Sequence, residues 1–120
     1  MACILLIDDD AVQLRVRETI LLRTGFEVCV ATTAEGALAL LRSYTVAVDA
    51  AVTDHLLPGC GGPDLVRQMR ALRPDLPVFV LTGQPDAESD YAGLDVTFRL
   101  KPLHPDELIR LIRSQVRRAA

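Results

Sequence analysis

Short unbroken apolar runs alternate along this chain with stretches whose apolar residues recur every three or four positions. Cys3–Ile7 is a continuous apolar run stopped by acids, which reads as a buried strand. Ala11–Thr24 follows with Val12, Val16 and Ile20 at helical spacing, and Gly25 closes it. Phe26–Ala31 is strand-like. Thr32 stands three residues before Glu35, a capping box that opens a helix through about Arg42. Val46–Thr53 is small and β-branched, a third strand leading into Asp54. Gly61, Gly62 and Pro63 introduce a helix carrying Leu65, Val66, Met69 and Leu72, ended by Pro74. Val78–Leu81 is a fourth strand reaching Thr82, and Val96–Leu100 a fifth. Between them residues 83–95 are polar, with Gly83 and Pro85 near the start, so the spacing predicts a short or irregular helix there. Its few apolar anchors place it at the low-stability end of the molecule. Pro105, Asp106 and Glu107 then start a last helix along Leu108, Ile109, Leu111, Ile112 and Val116.

Strands alternating with helices imply an α/β, doubly wound parallel sheet covered on both faces. Ligands of such sheets bind beyond the carboxyl ends of the strands, at a topological switch point. The polar residues expected there are Asp8, Asp9 and Asp10 after the first strand, Asp54 after the third, Thr82 after the fourth and Lys101 after the fifth. Lys101 is the only lysine among 13 basic residues.

Composition narrows the classes. A chain of 120 residues fits one domain, 1–120, large enough to bury a core without disulfides. The net charge of −3 argues against direct nucleic-acid binding. A basic cluster at Arg110, Arg113, Arg117 and Arg118 reads as the solvated last turns of a helix. Cys3, Cys29 and Cys60 are odd in number and lack metal-ligand spacing, so they read as reduced thiols. With no signal peptide and no apolar run of membrane-spanning length, the expected location is the cytoplasm, without membrane contact.

Three adjacent carboxylates are costly, since two charges about 4 Å apart repel by roughly 4 kcal/mol at an effective dielectric near 20. Asp10 has a role of its own, because Asp with Gln13 three residues on is a helix N-cap signature. The other carboxylates, a hydroxyl and an ammonium suit a hard cation and a phosphoryl group. Magnesium takes oxygen ligands and keeps several waters, and a carboxylate can form an aspartyl phosphate. Taken singly, Asp8 and Asp9 would more readily be capping or solvated acids, while Asp54 could equally be a loop residue before a turn and Thr82 a helix cap. His55 and His104 read as exposed, and Cys60 as accessible without an activating partner.

Together, "ILLIDDD", "VTDHLLPGCGG", "VFVLTG" and "RLKP", in this order and spacing, resemble the receiver domain of two-component response regulators. The resemblance implies a flavodoxin-like five-stranded sheet of order 2-1-3-4-5. It implies that Asp54, heading a D-x-x-L-P-x-x-x-G pattern with Leu57, Pro58 and Gly62, is the phosphoacceptor. Mg2+ would be held by Asp9 directly, by Asp8 more through water, by Asp54, and by the backbone carbonyl of Leu56. Thr82 would bond a phosphoryl oxygen and Lys101 would pair with Asp54 and then with the phosphate, followed by Pro102, where the family often has a cis bond. Thr82 and Phe98 would form the switch. The domain would catalyse only its own phosphorylation and dephosphorylation, as a signalling phosphoacceptor rather than an enzyme acting on other substrates. Implied partners are a histidine kinase or histidine phosphotransfer protein, a downstream protein target, and a second copy in a phosphorylation-dependent homodimer. The expectation for the whole is a stand-alone regulator or a receiver from a larger protein. Residues 83–95 are shorter than the family's corresponding stretch, which puts its usual output face in question. Two rivals are a phosphohydrolase of the haloacid dehalogenase type, whose D-x-D-x-[TV] motif Asp8–Val12 also satisfies, and a receiver-like fold that only binds partners.

Overall fold

The computed structural model describes residues 2–43 and 45–119, and the side chains of Arg117 and Arg118, part of the expected basic cluster, lie outside the described residues. Five strands, β1 (Cys3–Ile7), β2 (Glu27–Ala31), β3 (Ala50–Asp54), β4 (Val78–Thr82) and β5 (Thr97–Leu100), form one parallel sheet of order β2-β1-β3-β4-β5. Four α-helices, α1 (Ala11–Arg23), α2 (Ala34–Arg42), α3 (Gly62–Leu72) and α4 (Pro105–Ala119), cover it, with a 3-10 helix at Pro85–Tyr91.

Two cores explain why the strands read as unbroken apolar runs. Leu5, Ile7, Ala51, Val78 and Val80 face α2 and α3, packing with Ala37, Leu38, Leu65, Val66 and Met69. Their neighbours Ile4, Leu6, Ala50, Val52, Phe79 and Leu81 face α1 and α4, packing with Leu14, Leu21, Leu108 and Ile112. Alternate residues therefore point to opposite cores, and both must be apolar.

Local differences from the sequence expectation have physical causes. The cap of α2 is Thr33 rather than Thr32: its Oγ1 accepts from the Gly36 N–H at 3.0 Å, which moves the helix start one residue on. Strand β3 begins at Ala50 rather than Val46, because β1 pairs with it only from Ile4↔Ala50 onward. The segment at 85–91 is short and 3-10, as its polarity predicts, yet it has buried anchors in Ala87 and Tyr91. Past its end, the Arg70 guanidinium donates to the carbonyls of Leu94 and Asp95 and also to that of Leu76, tying α3 to the approach to β5. Cys3 is buried and Cys29 half-buried, their Sγ atoms 3.8 Å apart. Burial pushes both thiols up, Cys29 to about 12.

Helix α1 starts where Asp10 ends β1's loop: its Oδ1 accepts from the N–H groups of Val12 at 3.0 Å and Gln13 at 3.2 Å. At the other end Gly25 adopts φ +99°, the left-handed turn that lets the chain leave the helix toward β2. Gly62, first residue of α3, is packed tightly. A Cβ there would collide with the Tyr91 hydroxyl and come within 2.8 Å of the His55 carbonyl oxygen.

Two stability predictions follow from these contacts. Asp10→Ala is expected to cost about 1 kcal/mol through the lost cap, read by urea denaturation with an unchanged m-value. Gly62→Ala is expected to cost about 1–3 kcal/mol by overpacking, and adding Tyr91→Phe, which removes the colliding oxygen, should return part of it in the same assay.

Candidate functional site

Because all five strands are parallel, their carboxyl ends share one edge. Helix α1 carries the chain from β1 outward to β2, whereas α3 carries it from β3 the other way to β4, so the crevice lies between β1 and β3. Asp8 and Asp9 follow β1, Asp54 ends β3, Thr82 ends β4 and Lys101 follows β5. The sequence-predicted residues are thus brought to one place. One carboxylate oxygen from each of Asp8, Asp9 and Asp54 lies within 4.8 Å of the others.

Their environments differ. Asp8 is 1% exposed, with Oδ1 accepting from the Asp10 N–H at 2.9 Å and Oδ2 from Arg17 Nη1 at 2.8 Å. Asp9 is exposed. Asp54 is half-buried, and its Oδ1 accepts from Lys101 Nζ at 3.0 Å and from the His55 N–H at 3.1 Å. Its Oδ2 receives no hydrogen bond among the described residues. Asp10 is spent on the helix cap and takes no place in the cluster. All the donors are oxygens, a set that suits a hard divalent cation such as Mg2+.

Lys101 is delivered by β5, whose last residue pairs with Thr82, and the Lys101 N–H donates to the Thr82 carbonyl at 2.8 Å. The Lys101–Pro102 peptide bond is cis. Thr82 is 3% exposed, and its Oγ1 accepts from the Gln84 N–H at 3.2 Å. Phe98, half-buried on β5, meets the Tyr91 ring at a centroid distance of 6.1 Å. The Leu56 side chain is exposed in the loop after β3.

Three participants were not foreseen. Gln13, expected only as part of a cap signature, turns its Oε1 to the site, where it accepts from Lys101 Nζ at 3.2 Å and Arg17 Nη2 at 3.3 Å. Arg17, one helical turn later, reaches the buried Asp8. The signal available was their spacing of four residues on a helix whose start Asp10 sets. Tyr91 is the third, and it corrects the expectation for His55. That residue is half-buried rather than exposed, with Nδ1 2.6 Å from the Tyr91 hydroxyl. Burial, reinforced by Asp90 and Asp54, raises the Tyr91 phenol above its ordinary value, so its hydroxyl keeps its proton. His104 is exposed as expected, and its Nδ1 accepts from the Asp106 N–H at 3.1 Å. Cys60 is partly exposed beside Gly61.

Residues 4–113 match the family model described as the response regulator receiver domain. Among curated proteins, the chain is 31% identical over 118 residues to the two-component response regulator ARR14 of Arabidopsis thaliana, covering 96% of this chain and 31% of that protein. It is 30% identical over 119 residues to the cell cycle transcriptional regulator CtrA of Caulobacter vibrioides, covering 97% of this chain and 51% of that one. It thus spans about a third to a half of the length of these relatives. Among solved structures, a CheY-like response regulator receiver domain protein from Methanospirillum hungatei JF-1 superposes with a TM-score of 0.90 at 27% identity, covering 98% of this chain and 95% of the other. A sheet of this order, an acidic cluster at its switch point and a family match over residues 4–113 agree: the chain belongs to the response regulator receiver domain family.

Proposed function

We propose that this domain accepts a phosphoryl group on Asp54 in a Mg2+-dependent reaction and signals by changing conformation. The observation that carries this reading is the Asp54 carboxylate itself. Lys101 Nζ sits 3.0 Å from its Oδ1, and the carboxylates of Asp8 and Asp9 lie beside it. Asp8, Asp9 and Asp54, with the Leu56 carbonyl, would hold the ion, Asp9 directly and Asp8 more through water. When bound, Mg2+ neutralises charge on the transferring phosphoryl oxygens.

The protein's own groups supply the rest. Lys101 and the His55 N–H both engage Oδ1 of Asp54, which leaves Oδ2 as the oxygen for the incoming group. Oδ2 attacks phosphorus; the new P–O bond forms as the bond to the donor's histidine nitrogen breaks, and the histidine leaves. Lys101 then pairs with a phosphoryl oxygen. Thr82 donates its hydroxyl to another after releasing the Gln84 N–H. In this reading Thr82 and Phe98 are the switch, with the 3-10 helix moved through the contact between Tyr91 and Phe98.

The family implies a histidine kinase as partner, and a histidine phosphotransfer protein is the alternative donor. An apolar groove of about 530 Å³ supports a protein donor. It is lined by Val12, Val16, Ile20, Leu103 and Leu108, and it opens beside Lys101. Val12 and Val16 are 73% and 53% exposed, so a partner covering them gains buried apolar area. A downstream protein target and a phosphorylation-dependent homodimer complete the proposal, with no direct contact to nucleic acid or membrane. No described helix is long and apolar enough to cross a membrane, and we place the domain in the cytoplasm.

Incubation with acetyl phosphate and Mg2+ should add one phosphate mass, labile to hydroxylamine, and Asp54→Ala should abolish it. Uptake undiminished in Asp54→Ala, or independent of Mg2+, would overturn the assignment. Lys101→Arg is a second test. A planar guanidinium replaces a compact point charge in the narrow space between Asp54 and a phosphate oxygen, so the uptake rate should fall by roughly ten- to a hundredfold while the fold survives. Uptake by this variant is followed by mass spectrometry over time.

A further inference from the structure

The acceptor chemistry calls for one cation at this edge, and the structure supplies two. Arg17 Nη1 lies 2.8 Å from Asp8 Oδ2, in a pair whose side chains are 16% and 1% exposed. Its Nη2 donates to Gln13 Oε1, which also accepts from Lys101 Nζ, and Lys101 reaches Asp54. The result is one connected chain of groups, Asp8–Arg17–Gln13–Lys101–Asp54, with a carboxylate at each end and an amide oxygen between two cations. Helix α1 fixes its geometry. Asp10 caps the helix through the Val12 and Gln13 N–H groups, and Gln13 and Arg17 fall one turn apart on the face toward the cluster.

We propose that Arg17 is a resident counter-cation for the divalent-ion site, one that holds Asp8 while the ion is away and yields when it enters. This rests on the reading of Asp8, Asp9 and Asp54 as that site. A carboxylate as buried as Asp8 carries a large penalty when its charge is uncompensated. Asp8 Oδ1 is occupied by the Asp10 N–H, so Oδ2 is the oxygen left to face an ion or a water on it, and Oδ2 is the one Arg17 holds. Ion and guanidinium therefore compete for one atom. Arg17 also lines the apolar groove with Val12 and Val16, so displacing it changes the charge on the surface where a donor would dock. The competition links occupancy of the ion site to the state of α1's outer face.

The sign of one measurement separates this role from a scaffolding one. Magnesium chloride is titrated into the unphosphorylated wild type, Arg17→Gln and Arg17→Lys, with binding read by calorimetry and folding checked by far-ultraviolet circular dichroism. At a separation of roughly 6 Å, one unit charge acting on a divalent ion amounts to about tenfold in affinity even in water's dielectric. Arg17→Gln should therefore bind Mg2+ about tenfold more tightly than wild type, while Arg17→Lys, which keeps the charge, stays near wild type. Thermal melts supply a second readout. Arg17→Gln should melt lower than wild type in EDTA and recover most of the difference at saturating Mg2+. Affinity that is unchanged or weakened in Arg17→Gln would mean that Arg17 only orients Asp8, which overturns the proposal. Absence of Mg2+ binding in wild type and both variants would instead overturn the ion site itself, and this inference with it.

Discussion

Like charges held together govern this structure. Carboxylate oxygens of Asp8, Asp9 and Asp54 lie within 4.8 Å of one another. At such separations two charges repel by about 3–4 kcal/mol at an effective dielectric of 20. Around them the chain arranges the means of bearing that repulsion. Lys101 is set on Asp54 by the pairing of β5 with β4, Arg17 is set on Asp8 by the phase of α1, and Asp9 is left to solvent. The parallel sheet makes the crowding unavoidable, because it sends every strand end to one edge. It also makes the crowding tolerable, since the helices covering both faces bring the counter-charges within reach.

Much of this was legible in the chain itself. Unbroken apolar runs show strands buried on both faces, and an acid, hydroxyl or amine directly after such a run must emerge at the sheet's carboxyl edge. That logic locates Asp8, Asp9, Asp54, Thr82 and Lys101 without any contact being known. Asp10 was equally readable, because an N-cap is a local event involving the next three residues. Thr33 shows the limit of the same rule: two adjacent threonines both look like caps, and only the helix's true first turn chooses between them.

Apart from the Lys101–Asp54 pair, which the family resemblance implied, contacts between elements distant in sequence were not legible. Tyr91 finds His55 across 36 positions, and the bond exists only because α3 starts with a residue that has no side chain, leaving room for the phenol. The polar composition of residues 83–95 suggested a weakly held segment. Its polarity did not reveal which residues hold it: Ala87 and Tyr91 carry its burial, and Arg70 holds the backbone that follows the 3-10 helix. Gln13 and Arg17 were hidden for a simpler reason. Polar residues on an amphipathic helix are assigned to solvent by default, and here one such stripe faces the edge of the sheet, beyond the apolar contact with its face.

Lys101 is the only lysine in a chain that otherwise uses arginine for its basic side chains. Its side chain is 24% exposed, and its amine lies against the Asp54 carboxylate. Apart from the chain's amino terminus, amine-directed reagents therefore have one side-chain address on this molecule. The same is true of enzymatic acetylation, which would remove the charge that Asp54 is paired with in a single event. The guanidinium groups keep their charge through such treatment, so the one positive charge lost is the one beside Asp54.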